Sequence, residues 1–302
     1  MGLELYGHQV GACKNLKELY KNHRSAGAMM VTGGGKSFVA MNQMIAAGNN
    51  PNYHGISEKV GDDGRQKVEY DIVDKVVNNA EILYVAPTTD ILLQIQKDIV
   101  EYVLGYSEAE VSDFSIRQIE ELVKEAFPNL HLVCYQGLDS NKLYVDKNGK
   151  IVDKYTATPD LVILDEVHRS GANTFKPNVE KLLGYNIEED NVNGKDIIPK
   201  NNDVSKGKEK IQVLSISATP ERDVDDTDMI RYWDEIIGGY TKEELDNRKD
   251  YAIMLGLPEA VRQGIVAPPE IIAFDANLVD TEQYKYLVDQ ANKYCINPRL
   301  RN

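Results

Sequence analysis

Three consecutive glycines followed by Lys36-Ser37 lie between two apolar stretches of different period, and no other feature constrains the fold as tightly. Upstream, Ala28-Met29-Met30-Val31 reads as a buried strand. Downstream, Lys36 to Ala47 (KSFVAMNQMIAA) carries apolar residues at helical spacing. Strand, glycine turn and helix in that order make an anion nest, because successive glycine N–H groups converge and the helix adds the positive end of its dipole. Thr32, Gly33, Gly34 and Gly35 would cradle the phosphates of a nucleoside triphosphate, Lys36 would reach the β- and γ-phosphates, and the Ser37 hydroxyl would ligate Mg²⁺. The strict pattern begins on glycine, where this chain has Met30.

Further short apolar runs follow at Glu81–Ala86, His131–Tyr135, Leu161–Leu164 and Ile211–Ile216. A helix is expected over Thr89–Leu104, with Thr89 or Asp90 as its N-cap. Strands separated by helices pair in parallel through right-handed crossovers. The expected fold class is therefore α/β, a mainly parallel central sheet flanked by helices. Three segments read as insertions. Residues 48–79 are polar at first and then helical near Val68 to Val77. Residues 141–155 hold Asn148-Gly149 between Leu143–Lys147 and Lys150–Asp153, a strong hairpin signal that is decoration sooner than a strand-separating pin. Residues 184–210, of mixed charge, read as a loop. Residues 1–222 are expected to form the main domain, and 223–302 a helical extension that includes Leu257–Gln263 and Thr281–Tyr294. The ending at Asn302 resembles an interdomain connector more than a finished domain edge.

At roughly 100–200 residues per domain, 302 residues allow one large domain or two small ones. No stretch approaches the roughly 18 continuous apolar residues of a membrane span. Met1-Gly2-Leu3-Glu4-Leu5 lacks the features of a signal peptide, and Tyr6 breaks the myristoylation pattern. Cys13, Cys134 and Cys295 stand apart with no C-x-x-C pair, which argues against a zinc site or disulfide framework and fits a reducing cytoplasm. The net charge of −14 sits poorly with binding to a phosphate backbone. Either such binding uses backbone amides and a few local cations, or the basic track lies on a partner domain.

Two further strand ends carry chemistry. Leu161-Val162-Ile163-Leu164 runs into Asp165-Glu166-Val167-His168, which puts two carboxylates at the carboxyl edge of a parallel sheet, where ligands bind in open α/β folds. Alone, an apolar run ending in Asp-Glu is common. Downstream of a phosphate loop, Asp165 would hold Mg²⁺, directly or through water, and Glu166 would orient and deprotonate an attacking water. Ser217-Ala218-Thr219-Pro220 follows the last apolar run. Its hydroxyls can bond the carboxylate and histidine of the Asp-Glu segment, although by itself the segment reads as a turn stopped by proline.

GGGKS, DEVH and SATP, in that order after parallel-type strands, resemble motifs I, II and III of the superfamily 2 helicases, whose first motor domain is a RecA-like P-loop fold. The DEVH form resembles the DEAH-like group and the motor subunits of type III restriction enzymes. Ala86-Pro87-Thr88-Thr89 with Leu92 and Gln94 resembles motif Ia, and Tyr135-Gln136-Gly137-Leu138 resembles motif Ib. The resemblance implies that Pro87, Thr88, Gln136 and Gly137 touch nucleic acid. Leu5-Tyr6-Gly7-His8-Gln9 resembles the segment whose glutamine reads adenine, with Gly7-His8 in place of the usual Pro-Tyr. It further implies ATP and Mg²⁺ as cofactors, coupling of hydrolysis to movement through His168, Ser217 and Thr219, and a second RecA-like domain as partner. That second domain supplies an arginine finger from a Q-x-x-G-R-x-x-R segment, and this chain has no such segment, so by itself it is expected to bind ATP weakly and hydrolyse it poorly. The resemblance spans about residues 3 to 222. The distance from motif II to motif III exceeds the family's, and the 184–210 segment accounts for the excess.

The reading favoured is an ATP-dependent helicase or translocase motor, with DNA preferred over RNA because the DEVH core resembles restriction-type motors. A regulatory nucleotide switch or partner-binding module built on the same phosphate loop is the alternative. A P-loop small-molecule kinase fits less well, since no arginine-rich lid is visible and Glu166 beside Asp165 suits activation of water.

Overall fold

The computed structural model describes residues 3–61, 65–70, 77–138, 143–145, 149–153, 157–184, 210–221 and 227–267. β1 (Glu4–Leu5) leads into α1 (Gly7–Leu19), and β2 (Ser25–Met30) runs through the glycine turn into α2 (Lys36–Ala46). β3 (Tyr53–Val60) and β4 (Gln66–Tyr70) form an antiparallel hairpin that pairs with β1 through β4. β5 (Ile82–Ala86) is followed by α3 (Thr89–Asp98), α4 (Glu108–Asp113), α5 (Ile116–Ala126) and β6 (Leu130–Cys134). A small hairpin of β7 (Leu143–Val145) and β8 (Ile151–Asp153) precedes β9 (Leu161–Asp165) and α6 (Lys176–Leu183). Then come β10 (Gln212–Ser217), α7 (Met229–Trp233), α8 (Lys242–Asp246), β11 (Tyr251–Leu255) and α9 (Leu257–Arg262).

The central sheet runs β11-β2-β10-β9-β5-β6, and each of these pairings is parallel. Parallel strands covered on both faces read as continuous apolar runs, which is the pattern of LVIL and ILYVA. Successive residues alternate between two cores. Leu161 and Ile163 join Ile82, Tyr84 and Leu214 under α1, α2, α3 and α5, while Val162 and Leu164 join Leu83, Val85 and Val213 under α6 and α7. Each large apolar side chain so enclosed contributes about 1.5–3 kcal/mol. The order also sets up the functional edge. β10 lies between β2 and β9, with Ser217 level with Met29 and Ile216 level with Asp165. The segment after β10 is thereby wedged between the glycine turn and the acidic pair.

Several expectations change. Val68 does not begin a helix but sits in β4, where it is buried and its N–H donates to Leu3 O at 2.9 Å. The segment QKVEY alternates at period two, and pairing with β1 and β3 outweighs the helical spacing of the valines beyond it. The helix after β5 continues past Asp98 as a wider turn over Ile99–Val103, and its N-cap is Thr88, whose Oγ1 accepts from the Ile91 N–H at 3.4 Å. Residues beyond 222 are not only helical, because β11 pairs with β2 and widens the sheet. One compact unit spans Met1–Val266, and Ala267–Asn302 forms another, of which only Ala267 is described. The hairpin pairs as expected, Leu143 with Asp153 and Val145 with Ile151. Residues 71–76, the rest of the expected helical stretch, and residues 146–148, 185–209 and the expected helix at 281–294 lie outside the described residues. Among the described residues no helix is long and apolar enough to cross a membrane.

At the amino edge of the sheet, far from the glycine turn, Ser25 Oγ donates to Asp234 Oδ1, and the Asp250 carbonyl accepts from the Gly27 N–H at 2.9 Å. Neither Asp250 carboxyl oxygen has a hydrogen-bond partner among the described residues, and burial lifts this carboxyl to about 6. A group that holds its proton more tightly when folded makes stability fall as pH rises from the ordinary carboxyl pKa of about 4 through the folded value. Asp250→Asn is therefore expected to raise the thermal midpoint at pH 7, with a gain that shrinks toward pH 4. A gain that did not depend on pH would refute the assignment.

Candidate nucleotide-binding site

Gly33 and Gly35 adopt φ of +83° and +86°, so the turn after β2 needs the left-handed region twice in three residues. Between them the Gly34 N–H donates to Val31 O at 2.9 Å, closing the loop. A Cβ at Gly34 would stand 2.9 Å from that carbonyl, so the loop's concave shape admits only glycine. From outside, the start of α1 is stitched to the loop. His8 Nε2 lies 2.9 Å from Gly34 O, Gln9 Nε2 donates to the same oxygen at 3.5 Å, and Gln9 Oε1 accepts from the Tyr6 N–H at 2.8 Å. Gln9 is thus buried against the loop, with one side reaching a cavity of about 310 Å³. Tyr6, Phe38, Arg65 and Tyr102 also line that cavity, with Glu4 and Glu101 among its polar groups. The Phe38 and Tyr102 rings meet at 4.8 Å, tilted by 47°, and the Arg65 guanidinium lies 4.8 Å over the Tyr6 ring. A flat aromatic base is the kind of group such walls hold. The sequence reading missed Arg65, Phe38 and Tyr102, because Arg65 comes from the β3–β4 hairpin and only the fold brings it to Tyr6.

β9 ends on Asp165, and Glu166 takes a left-handed conformation (φ +48°, ψ +57°) that turns the chain into the short helix Val167–Gly171. For a residue other than glycine that conformation costs on the order of 1–3 kcal/mol, and here it aims the Glu166 side chain back along the sheet edge. Glu166 Oε1 lies 3.7 Å from Lys36 Nζ, which also donates to Met30 O at 3.4 Å. Glu166 Oε2 accepts from Ser217 Oγ at 3.1 Å and lies 3.6 Å from His168 Nδ1. His168 Nδ1 is 3.2 Å from Ser217 Oγ, and Ser217 Oγ also faces Thr219 O at 2.8 Å and the Thr219 N–H at 3.1 Å. One hydroxyl proton serves either Glu166 or the Thr219 carbonyl, so Ser217 is a switchable partner of the acid.

Asp165 is more enclosed. Its Oδ1 accepts from the Glu166 N–H at 2.9 Å and its Oδ2 from Tyr84 Oη at 2.8 Å. Burial pushes its carboxyl up to about 6, with the Glu166 charge adding to the rise, and Tyr84 and Lys36 opposing it. A buried carboxylate beside a second one, with Lys36 as the nearby cation, fits a divalent ion, since an ion's charge inverts that penalty. Ser37 meets Asp98, whose carboxyl is raised by burial against hydrogen bonds from Gln94 and Ser37. The pattern of motifs gave no sign of Asp98. From below, Trp233 Nε1 donates to Ser170 Oγ at 2.7 Å, and Ser170 Oγ to Val167 O at 2.6 Å, bracing the turn that carries His168.

The glycine turn, the end of β9 and the segment after β10 thus lie side by side along one edge, with Ser37 against Asp98 and Thr219 meeting Ser217 through its main chain. Thr32 lies exposed at the mouth of the turn. Pro87, Thr88, Gln136 and Gly137 stand further along the same carboxyl edge, after the neighbouring strands β5 and β6, whose ends are level at Ala86 and Cys134.

A search of curated proteins returns no match. Among solved structures, the ATP-dependent Type ISP restriction-modification enzyme LlaBIII bound to DNA is 14% identical over 86% of this chain and 16% of its own, with a TM-score of 0.42. A nuclease-deletion mutant of the Type ISP restriction-modification enzyme LlaGI in complex with a DNA substrate mimic is 14% identical over 97% of this chain and 23% of its own, with a TM-score of 0.43. The yeast DEAD-box splicing factor Prp28 is 16% identical over 71% of this chain and 40% of its own, with a TM-score of 0.37. The chain thus spans less than half the length of each of these proteins. The model of the DEAD/DEAH box helicase family matches residues 8–227, most of the chain and the whole of the edge just described, and the chain belongs to that family.

Proposed function

We propose that this chain is the first motor domain of an ATP-dependent DNA helicase or translocase. The observation that carries the reading is the network in which Lys36 of the glycine turn meets Glu166 at 3.7 Å while Glu166 shares Ser217 with His168. Amides of the 32–37 turn and the Lys36 ammonium would hold the phosphates, and Ser37 and Asp165 would hold Mg²⁺. The pocket beside Gln9 would take the base. When bound, Mg²⁺ would supply charge neutralisation at the β- and γ-phosphates. Glu166, freed from Lys36 by the phosphates, would accept the proton of the attacking water. His168 and Ser217 would then register whether Glu166 is engaged, and pass that state toward the segment after β10. Nucleic acid would lie across the ends of β5 and β6, at Pro87, Thr88, Gln136 and Gly137. A second RecA-like domain would complete the catalytic site. The resemblance of DEVH to restriction-type motors supports DNA over RNA.

ATP hydrolysis by the full-length protein, measured with single-stranded DNA, duplex DNA and RNA, tests this. Stimulation of several-fold or more by DNA above RNA is expected, and Lys36→Ala should remove it. Nucleotide binding with turnover indifferent to every nucleic acid would favour a regulatory switch and overturn the motor reading.

A further inference from the structure

Asp165 is gripped from both faces of the sheet by two tyrosines. Tyr84 Oη donates to the Asp165 Oδ2 at 2.8 Å, and Tyr135 Oη donates to the Asp165 main-chain oxygen at 3.0 Å. The rings occupy opposite cores, Tyr84 on the α2 side and Tyr135 on the α6 side, and their exposures are 1% and 0%. Packing alone requires only the rings. A hydroxyl this deep is costly unless it is bonded, and Asp165 is the partner both hydroxyls reach. Their positions in the chain matter as much. Tyr84 lies in β5 just before Ala86-Pro87-Thr88, and Tyr135 opens the short helix Tyr135–Leu138 that carries Gln136 and Gly137.

We propose that Tyr84 and Tyr135 are positioning residues that tie the metal-binding aspartate to the two strand ends facing nucleic acid, so that occupancy of those ends is felt at Asp165. The proposal rests on the motor reading above. Tyr84 and the Glu166 N–H together occupy both carboxylate oxygens, which fixes the side-chain torsion and leaves the remaining lone pairs aimed at one place. Tyr135 holds the peptide that precedes the left-handed Glu166, so it sets the direction in which the Glu166 side chain leaves the strand. A displacement of the β5 or β6 end moves a phenol, and the phenol moves a carboxylate or a peptide of the catalytic pair. No separate communicating element is needed, because the strands are neighbours and the hydrogen bonds are direct.

The test uses the full-length protein and a fluorescent N-methylanthraniloyl ATP, whose binding is titrated with Mg²⁺ with and without a single-stranded DNA oligonucleotide. In the parent protein the oligonucleotide is expected to shift the Mg²⁺ midpoint. Partners of metal ligands typically contribute about 10- to 100-fold in metal affinity, so Tyr84→Phe should raise that midpoint by about 10-fold. Binding of the analogue in EDTA should stay unchanged, which reports an intact fold, while the thermal midpoint should fall by only a few °C for the one buried hydrogen bond lost. In the Tyr84→Phe/Tyr135→Phe double variant the oligonucleotide-dependent shift should disappear. Retention of the parent Mg²⁺ midpoint and shift by the double variant would overturn the proposal, as would loss of analogue binding in EDTA by both single variants, which would mark a merely structural role. Lys36→Ala keeps the two readings apart. If it leaves analogue binding intact, the nucleotide site itself is misassigned. If it abolishes binding while the tyrosine variants behave as the parent, only the coupling fails.

Discussion

Replacing Glu166 with Gln in the full-length protein is expected to lower ATP turnover by about 10²–10⁴-fold while nucleotide affinity stays close to that of the parent, because a positioned general base contributes about that much. Glutamine keeps the size of the side chain and still accepts the Ser217 hydroxyl, so the left-handed turn and the network around His168 survive. It cannot accept a proton from water. It also removes the negative partner of Lys36, whose ammonium then faces incoming phosphate without competition, and affinity should if anything rise slightly. Single-turnover hydrolysis beside equilibrium binding of a fluorescent ATP analogue separates the two effects. Turnover within a few-fold of the parent would remove Glu166 from the role of base. A parallel collapse of binding would show that the carboxylate serves the phosphate loop instead.

The sequence made the three strand-end motifs more legible than the architecture, and the reason is physical. GGGKS, DEVH and SATP are local patterns, each set by a strand end and the turn after it, so residues close in sequence already hold most of the information. The β2, β5, β9 and β10 runs were legible for the same reason, since a strand buried on both faces is a continuous apolar run, and β6, half-buried at the sheet's edge, still shows one. What stayed hidden depends on tertiary pairing. β11, YAIML, is a short apolar run too, crowded by charged residues on its amino side, and its place at the edge of the sheet comes only from its pairing with β2. Val68 looked helical because the residues after it repeat at that spacing, whereas β1 offered a backbone partner that no local pattern announces. At the site, Arg65, Asp98, Tyr84 and Trp233 lie in segments where a polar or aromatic residue carries no motif. Tyr84 in particular reads as one more apolar member of ILYVA, and its hydroxyl gains meaning only from Asp165 at the end of β9, four strands later in the sequence. The acidic net charge, which argued against nucleic acid, says little about an edge built from main-chain amides and strand ends.

A methyl group at Gly35 is expected to weaken nucleotide binding by about 100-fold or more, at ten-fold per roughly 1.4 kcal/mol, without unfolding the domain. Two costs add. The backbone stands at φ +86°, where a side chain costs roughly 1–2 kcal/mol. The new Cβ would also lie 2.1 Å from Gln9 Nε2 and 3.2 Å from its Cδ, so the buried amide must move. Moving it breaks the bond from the Tyr6 N–H and the contact with Gly34 O, which together fix the start of α1 against the phosphate turn. Either the turn opens or Gln9 is expelled toward the cavity lined by Tyr6 and Phe38, and both change the shape of the turn. Gly239→Ala isolates the first cost, since that residue has φ +77° with nothing within 4 Å of the added carbon. It should lower thermal stability by a similar amount, a few °C, and leave nucleotide binding alone. If Gly35→Ala bound nucleotide as tightly as Gly239→Ala, the close approach of Gln9 to the turn would have no part in holding phosphate, and the turn would be tolerant where the geometry says it is full.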